Sequence, residues 1–425
     1  WGTYLTCEEN FDGYFSAAGA RPSTAREARY GIDARGFGTR WREQAARFDL
    51  AREPNEPNRF GWVVEIDPRR PAQRPVKRSA LGRFKHEGAQ VRLAADGRVV
   101  VYMADDERNE YLYKFVSSAR FDPQRPQLND RLLDLGTLHV ARFDADGRGQ
   151  WLPLRHGQHG LTAAHGFADQ AEVLVFARQA ADRVGATLLD RPEWIAHHAP
   201  SGRMLVALTN NTRRVAADSP GASVNRVDGS TRAGSAQPPV DAANPRADNA
   251  FGHLLGWRED GDDAAATGFD WDLFMLGGHG EDASLGARDA VRGTMRGDGF
   301  AAPDGLWVDP GGLLWIHTDM STSRIERGPY AGLGNNAMLA CDVASREVRR
   351  FLVGPRGCEL AGMAMTPDLR TLFVNIQHPG EAGSDGPNDP DDPRRISNWP
   401  DFRSDGRPRS ATLVITRDDG GVIGS

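Results

Sequence analysis

A short strand, a tight Pro/Gly/Asp turn and a second, apolar strand recur four times along this 425-residue chain, and each copy is led by one acidic residue. The first copy starts at Glu87, turns at Asp96-Gly97 and continues through Val99–Asp106. The second starts at Glu193, turns at Pro200–Gly202 and runs through Met204–Asn211. The third starts at Asp304, turns at Pro310–Gly312 and runs through Leu313–Asp319. The fourth starts at Glu359, turns at Pro367-Asp368 and runs through Thr371–Gln377. Each reads as an antiparallel hairpin. The leading acids are 106, 111 and 55 residues apart, near multiples of one repeating unit. The gaps hold further strand pairs, Thr137–Phe143 with Gln150–Leu154 and Gly252–Trp257 with Phe269–Leu276. A unit of about 50 residues built from consecutive antiparallel strands is the mark of propeller blades. The expected fold is therefore all-β, a β-propeller of about six blades forming a single domain over residues 1–425. The competing architecture is a β-sandwich with long irregular loops.

Helical periodicity is confined to Ser23–Phe48 and Ala168–Ala181, so helices are expected only as short insertions. Loop insertions are expected near 16–58, 212–250 and 379–408. The polar tract Pro379–Arg395 reads as a solvated loop, and loops of this length are also where rims and lids are found. The chain begins with Trp1 inside a strand-like run, Gly2–Thr6. An upstream segment is expected to precede it, carrying any export leader and more propeller sequence. On that view blade closure is open, and the last strand, Ala411–Thr416, is expected to have lost its partner.

Bulk chemistry removes several function classes. The net charge is −6, from 52 basic and 58 acidic residues well mixed along the chain. A nucleic-acid surface needs a basic face, so no nucleic-acid partner is expected. No run approaches the roughly 18–20 apolar residues of a membrane span. The three cysteines, Cys7, Cys341 and Cys358, lack CxxC spacing, which excludes a zinc ribbon or a disulfide framework; a lone Cys341–Cys358 bridge stays open. The eleven histidines form no His-Glu-x-x-His pattern, and there is no Gly-x-Ser-x-Gly elbow, phosphate-binding loop or dinucleotide fingerprint.

What remains is carboxylate chemistry. If each leading acid opens the innermost strand of its blade, Glu87, Glu193, Asp304 and Glu359 meet at one mouth of the axis. Carboxylates so crowded cannot all ionise without a counter-charge, and oxygen-rich sites suit hard cations such as calcium. An acid before a strand also serves simply to cap a turn; four in matched places favour a shared cation. The run Thr6-Cys7-Glu8-Glu9-Asn10 has the same strand-end placement. Its thiol is either an inert buried group or a ligand for a softer transition metal. Basic side chains accompany the acids: Lys85 near Glu87, Arg191 near Glu193 and Arg356 near Glu359. An arginine fork beside such a cluster suits a phosphoryl group, and Asn210, Asn211 and Arg213 end a strand where they add donors. His86 and His378 read as packing or supporting residues.

Several runs together resemble the PhoX family of alkaline phosphatases. They are Trp1–Phe15, Phe60–Pro68, Phe84–Ala89, Val100–Val116, Asp190–Trp194, Leu208–Arg214, Asn244–Asn249, Pro303–Trp307 and Phe373–Glu381. The resemblance implies a six-bladed propeller that hydrolyses small-molecule phosphate monoesters. It also implies a mixed cluster of iron (Fe3+) and calcium with a bridging oxo group, and twin-arginine export to the periplasm or beyond. It implies Cys7 as the thiolate ligand of iron, and Glu8, Glu87, Glu193, Asp304 and Glu359 as further metal ligands. Glu9 and Glu107 are additional candidates of the same kind. Arg191 is implied to hold the phosphate, with Asn211 and Lys85 completing the catalytic group, and a monomer is expected. The rival enzyme class is a calcium-dependent propeller lactonase or esterase, which has no use for an iron-binding thiolate. A non-enzymatic, protein-binding propeller is the other alternative.

Overall fold

The computed structural model describes residues 2–281, 292–383 and 388–424. Trp1 and positions 384–387 of the polar tract lie outside the described residues. The chain is mostly β and falls into two compact units. One comprises Trp1–Glu193, Asn211–Asn249 and Trp257–Asp272; the other comprises Trp194–Asn210, Ala250–Gly256 and Leu273–Ser425.

In the first unit, strand Tyr4–Cys7 pairs antiparallel with Val63–Ile66, setting Cys7 opposite Val63. The larger sheet runs in the order Gln90–Leu93, Arg98–Ala104, Leu112–Arg120, Gly136–Phe143, Arg148–Pro153, with Gly268–Asp270 paired to the last strand. The β-branched run Val99-Val100-Val101 makes Arg98–Ala104 a central strand, buried on both faces from Val99 onward. The turn before it needs a left-handed residue: Gly97 has φ +84°, and Asp96 accepts the Arg98 N–H at 3.1 Å. Phe84, Tyr113, Leu138, Val140 and Ala177 lie in one apolar core with the N-terminal residues Phe11 and Phe15.

The expected helices are present but short. Thr24 and Glu27 form a reciprocal capping box that starts Ala25–Arg29, and Gly31, Gly36 and Gly38 then prevent a long helix. Asp169 caps Gln170–Val175, and Ala177–Val184 follows after a break at Phe176, ending on Gly185 in the left-handed region. Residues 212–250 hold no multi-residue strand, only isolated bridges such as Asn211 with Asn249 and Val215 with Pro239.

In the second unit, Pro303–Val308, Leu313–Thr318, Ala337–Asp342 and Glu347–Val353 form an antiparallel meander in that order. Strands Glu359–Met365, Thr371–Gln377 and Ala411–Thr416 make a separate three-stranded sheet. Ala411–Thr416 pairs on one side, in continuous register with Thr371–Gln377 from Thr371–Thr416 to Ile376–Ala411, and stands at the edge of its sheet among the described residues. Its partner lies upstream across a long polar loop, so local sequence did not reveal it. The Cys341–Cys358 bridge does not form; all three thiols are free. Among the described residues no helix is long and apolar enough to cross a membrane.

Candidate active site

The site in the first unit grows from the turn that follows strand Arg98–Ala104. His86 bridges Asp105, and the Asp106 N–H donates to the Lys85 carbonyl at 3.0 Å. Two consecutive segments, 84–87 and 105–110, are thereby clamped side by side. Asp105 is fully buried; its Oδ1 accepts the Lys85 N–H at 3.1 Å, and Arg178 grips its carboxylate at 2.5 and 2.7 Å. Lys85 is buried between Asp12 (3.4 Å) and Glu107 (3.3 Å). Burial works against its charge, but those two carboxylates outweigh it and raise its pKa. Burial also works against the Glu107 charge, and Lys85 and Arg178 outweigh it, bringing the carboxyl down to about 2.

His86 is fully buried, stacked on Phe84 with centroids 3.7 Å apart, and its Nε2 faces the Gly82 carbonyl at 2.9 Å. Burial pulls its pKa down to about 3. The folded protein thus refuses a proton that the unfolded chain takes up, so this neutral imidazole contributes stability above pH 6.5 that is lost as pH falls toward 3. His86→Gln removes the linkage. Between pH 7 and pH 5, the gap in urea unfolding free energy between wild type and variant should shrink by roughly 2 kcal/mol; a gap that does not change with pH refutes this assignment.

Arg191 sits in the left-handed region at φ +55°, an unusual conformation for a side chain of this size. It follows Asp190, which strand pairing places opposite Arg108. Its Nε and Nη2 fork onto the two oxygens of Asp106, each at 2.9 Å, and Nη2 lies 3.3 Å from Glu193 Oε1. The conformation is held by a buried knot on Asp190. Arg214 Nε, Asn211 Nδ2 and Asn249 Nδ2 all donate to its carboxylate at 2.9 Å. Three sequence runs that stand far apart, 190–194, 208–214 and 244–249, therefore serve one structural purpose. Asn211 donates its second amide hydrogen to Asn109 Oδ1 and accepts the Arg213 N–H. Its amide is thus committed to this framework.

Oxygens of Glu9, Glu87 and Asp106 lie within 4.8 Å of one another, and Glu193 comes within the same distance of Glu87. Arg191 offsets part of this negative charge at Asp106. Burial, with the Glu87 and Glu9 carboxylates, pushes the Cys7 thiol up to about 12. Carboxylate oxygens fit a hard cation, and a thiol such as that of Cys7 fits a softer one, which would deprotonate it on coordination. Glu8, the acid before Glu9, has partners of its own. One of its oxygens accepts the Gly61 and Trp62 N–H groups at 3.0 and 3.1 Å, and the other takes Lys77 at 2.6 Å. Of the adjacent pair, Glu9 joins the acidic group. In the second unit Asp304 is buried near the start of its strand, and Glu359 accepts from Gln377 at 3.1 Å and faces His378 at 3.4 Å.

The residues that sequence reasoning passed over are Asp106, Arg108 and Asp190. All three lie inside the quoted runs, yet none leads a hairpin, and only their partners across the fold reveal them.

Residues 1–380 match the family described as alkaline phosphatase PhoX. The structure of Pseudomonas fluorescens PhoX in complex with vanadate, a transition state analogue, is 45% identical with a TM-score of 0.87; the match covers 100% of this chain and 69% of that one. A Xanthomonas campestris gluconolactonase also matches, at 12% identity over 74% of this chain and 78% of that one, but its TM-score of 0.24 lends the lactonase alternative nothing. No curated protein matches. The fold is the mostly-β, propeller-like fold of the first of these relatives. The chain belongs to the PhoX family of alkaline phosphatases, enzymes that hydrolyse phosphate monoesters.

Proposed function

We propose that this phosphomonoesterase works at a mixed iron–calcium centre held by Cys7, Glu9, Glu87 and Glu193, with Arg191 gripping the phosphoryl group that is transferred. The carrying observation is the convergence of the Glu9, Glu87 and Asp106 oxygens, with Glu193 within the same reach of Glu87. The 45% identity to a PhoX that binds vanadate supports a site for a phosphoryl group in the same fold. Bound cations there supply positive charge to the phosphoryl oxygens and acidify a nucleophilic water.

The chain's own residues position and neutralise. Asp106 fixes the plane of the Arg191 guanidinium and so orients the donors it offers to phosphoryl oxygens. Asp190 and Asn211 hold the strained turn that carries Arg191. Lys85, sealed between Asp12 and Glu107, keeps a positive charge behind the site. Positioning and preorganised charge are the main requirements of phosphoryl transfer. Glu8, Asp304 and Glu359 stay ligand candidates on the family resemblance. The same resemblance supports a monomeric, exported enzyme, periplasmic or secreted through the twin-arginine route.

Elemental analysis of the purified protein tests the centre. Iron and calcium are expected together, and Cys7→Ser should lose the iron while retaining calcium. A fully active preparation that contains neither element sinks the proposal.

A further inference from the structure

Three arginines, Arg108, Arg191 and Arg213, stand on adjoining turns beside the acidic group of the first unit. Strand pairing sets Asp190, and with it Arg191, against Arg108. The hydrogen bond from Asn211 Nδ2 to Asn109 Oδ1, 2.9 Å, brings the turn bearing Arg213 to the same place. Of the three, only Arg191 meets carboxylates. The Arg108 guanidinium makes no ion pair or hydrogen bond among the described residues, and its Nε is buried without a partner. Arg213 is exposed and likewise makes no ion pair among the described residues. The preceding residue, Glu107, is already committed: Oε2 to Lys85 at 3.3 Å and Oε1 to the Arg108 backbone N–H at 2.9 Å. Burial and the positive charges of Arg191 and Arg213 pull the Arg108 pKa below the usual arginine value, although Glu107 and Asp106 oppose this.

The loop 212–250 builds this arrangement rather than leaving it to chance. Asn225 Nδ2 donates to the Asn109 carbonyl at 2.9 Å and Asn109 Nδ2 donates to the Ala236 carbonyl at 3.0 Å, which fixes the left-handed turn after Arg108. Gly234 packs so closely that a Cβ there would lie 2.5 Å from Glu107 Oε1 and 3.7 Å from the Arg108 Cβ. A buried donor with no acceptor is costly. Clustered guanidiniums without counter-ions are costly too, and a planar fork is well matched to phosphate oxygens.

We propose that Arg108 and Arg213 form a second anion subsite beside the reacting phosphoryl group, selecting phosphomonoesters whose leaving alcohol carries a further phosphate. This rests on the reading that Arg191 grips the transferred group. The alcohol side of such a substrate then satisfies the Arg108 donors and neutralises the cluster, while a substrate with an uncharged alcohol leaves both unmet.

The test compares kcat/KM for fructose 1,6-bisphosphate and fructose 6-phosphate in the purified, metal-loaded enzyme. The wild type should favour the bisphosphate by about tenfold or more, the scale of one charge-assisted contact. Arg213→Gln should lower that ratio several-fold, and Arg108→Gln with Arg213→Gln should bring it close to the roughly twofold expected from two hydrolysable groups. Added sodium chloride should narrow the wild-type ratio, because the selecting contact is between charges. Arg213 is exposed, so its single variant and the wild-type salt series decide the matter even if the double variant folds poorly. A ratio that neither substitution nor salt alters, with both sugars still turned over, overturns the subsite alone. Turnover of neither sugar by the wild type sinks the reading of the Arg191 site as well.

Discussion

Glu87→Gln should cut kcat/KM on p-nitrophenyl phosphate by about 100- to 1,000-fold, the usual scale for removing one preorganised charge from a reacting centre, while the metal-free protein melts no lower than wild type. Both halves follow from one piece of geometry. Glu87 shares a 4.8 Å neighbourhood with Glu9 and Asp106, and another with Glu193. Like charges so near repel, and burial weakens the screening that water provides. A framework residue would show the opposite pattern, with stability and activity falling together. Differential scanning calorimetry of the metal-stripped proteins, set beside steady-state kinetics of the loaded ones, separates the two. A large drop in the metal-free melting temperature would assign Glu87 to the scaffold and remove it from the proposed centre.

Arg29→Met is expected to be among the most damaging substitutions for the fold, costing about 3–5 kcal/mol in urea unfolding at pH 7. Arg29 is fully buried and reaches two carboxylates. Its Nε and Nη2 donate to Asp182 at 3.0 and 2.9 Å, its Nη2 also donates to Glu110 Oε2 at 2.9 Å, and Nη1 pairs with Glu110 Oε1. Tyr111 adds a hydroxyl donor to Asp182. Removing the arginine strands two carboxylates that water does not reach. The loss should also reach the site, because Arg178 spans the same cluster: it lies 3.6 Å from Glu110 and holds Asp105, which in turn holds Lys85. Arg29→Lys should not restore stability, since one ammonium does not reproduce a guanidinium forked onto two acids. A loss below about 1 kcal/mol for Arg29→Met would show that the cluster relaxes or takes up water instead.

Much of the strand pattern was legible because hairpins are local. The copies led by Glu87, Asp304 and Glu359 appear as Gln90–Leu93 with Arg98–Ala104, Pro303–Val308 with Leu313–Thr318, and Glu359–Met365 with Thr371–Gln377. The apolar run after the Pro367-Asp368 turn announced Thr371–Gln377, whose burial alternates residue by residue. The pairing of Ala411–Thr416 was not legible, because register across a long polar loop is not written in either strand alone. The site was partly legible. Glu87 and Glu193, singled out from their places beside hairpins, come within 4.8 Å of each other, and Arg191 meets Asp106 and Glu193; that Glu9 rather than Glu8 faces this acidic group was not legible. Neighbouring acids on one strand end differ in what they face, and Glu8 faces Lys77 and two backbone N–H groups.

The sequence by itself determined the period of the strands, the family, and which residue types stand ready for phosphate chemistry, since these depend on neighbours a few positions away or on matched runs. Only the tertiary structure decided the partners of the charges. It committed Asn211 to the Asp190 knot, set Arg191 on Asp106, and left Arg108 without a counter-ion among the described residues. It also buried Glu259 among Tyr102, Trp151, Trp257 and Lys114, a fully satisfied carboxylate that no motif announced. The physical reason is common to all four. A charge in a low-dielectric interior is governed by the few groups within about 4 Å, and those groups come from segments that folding alone brings together.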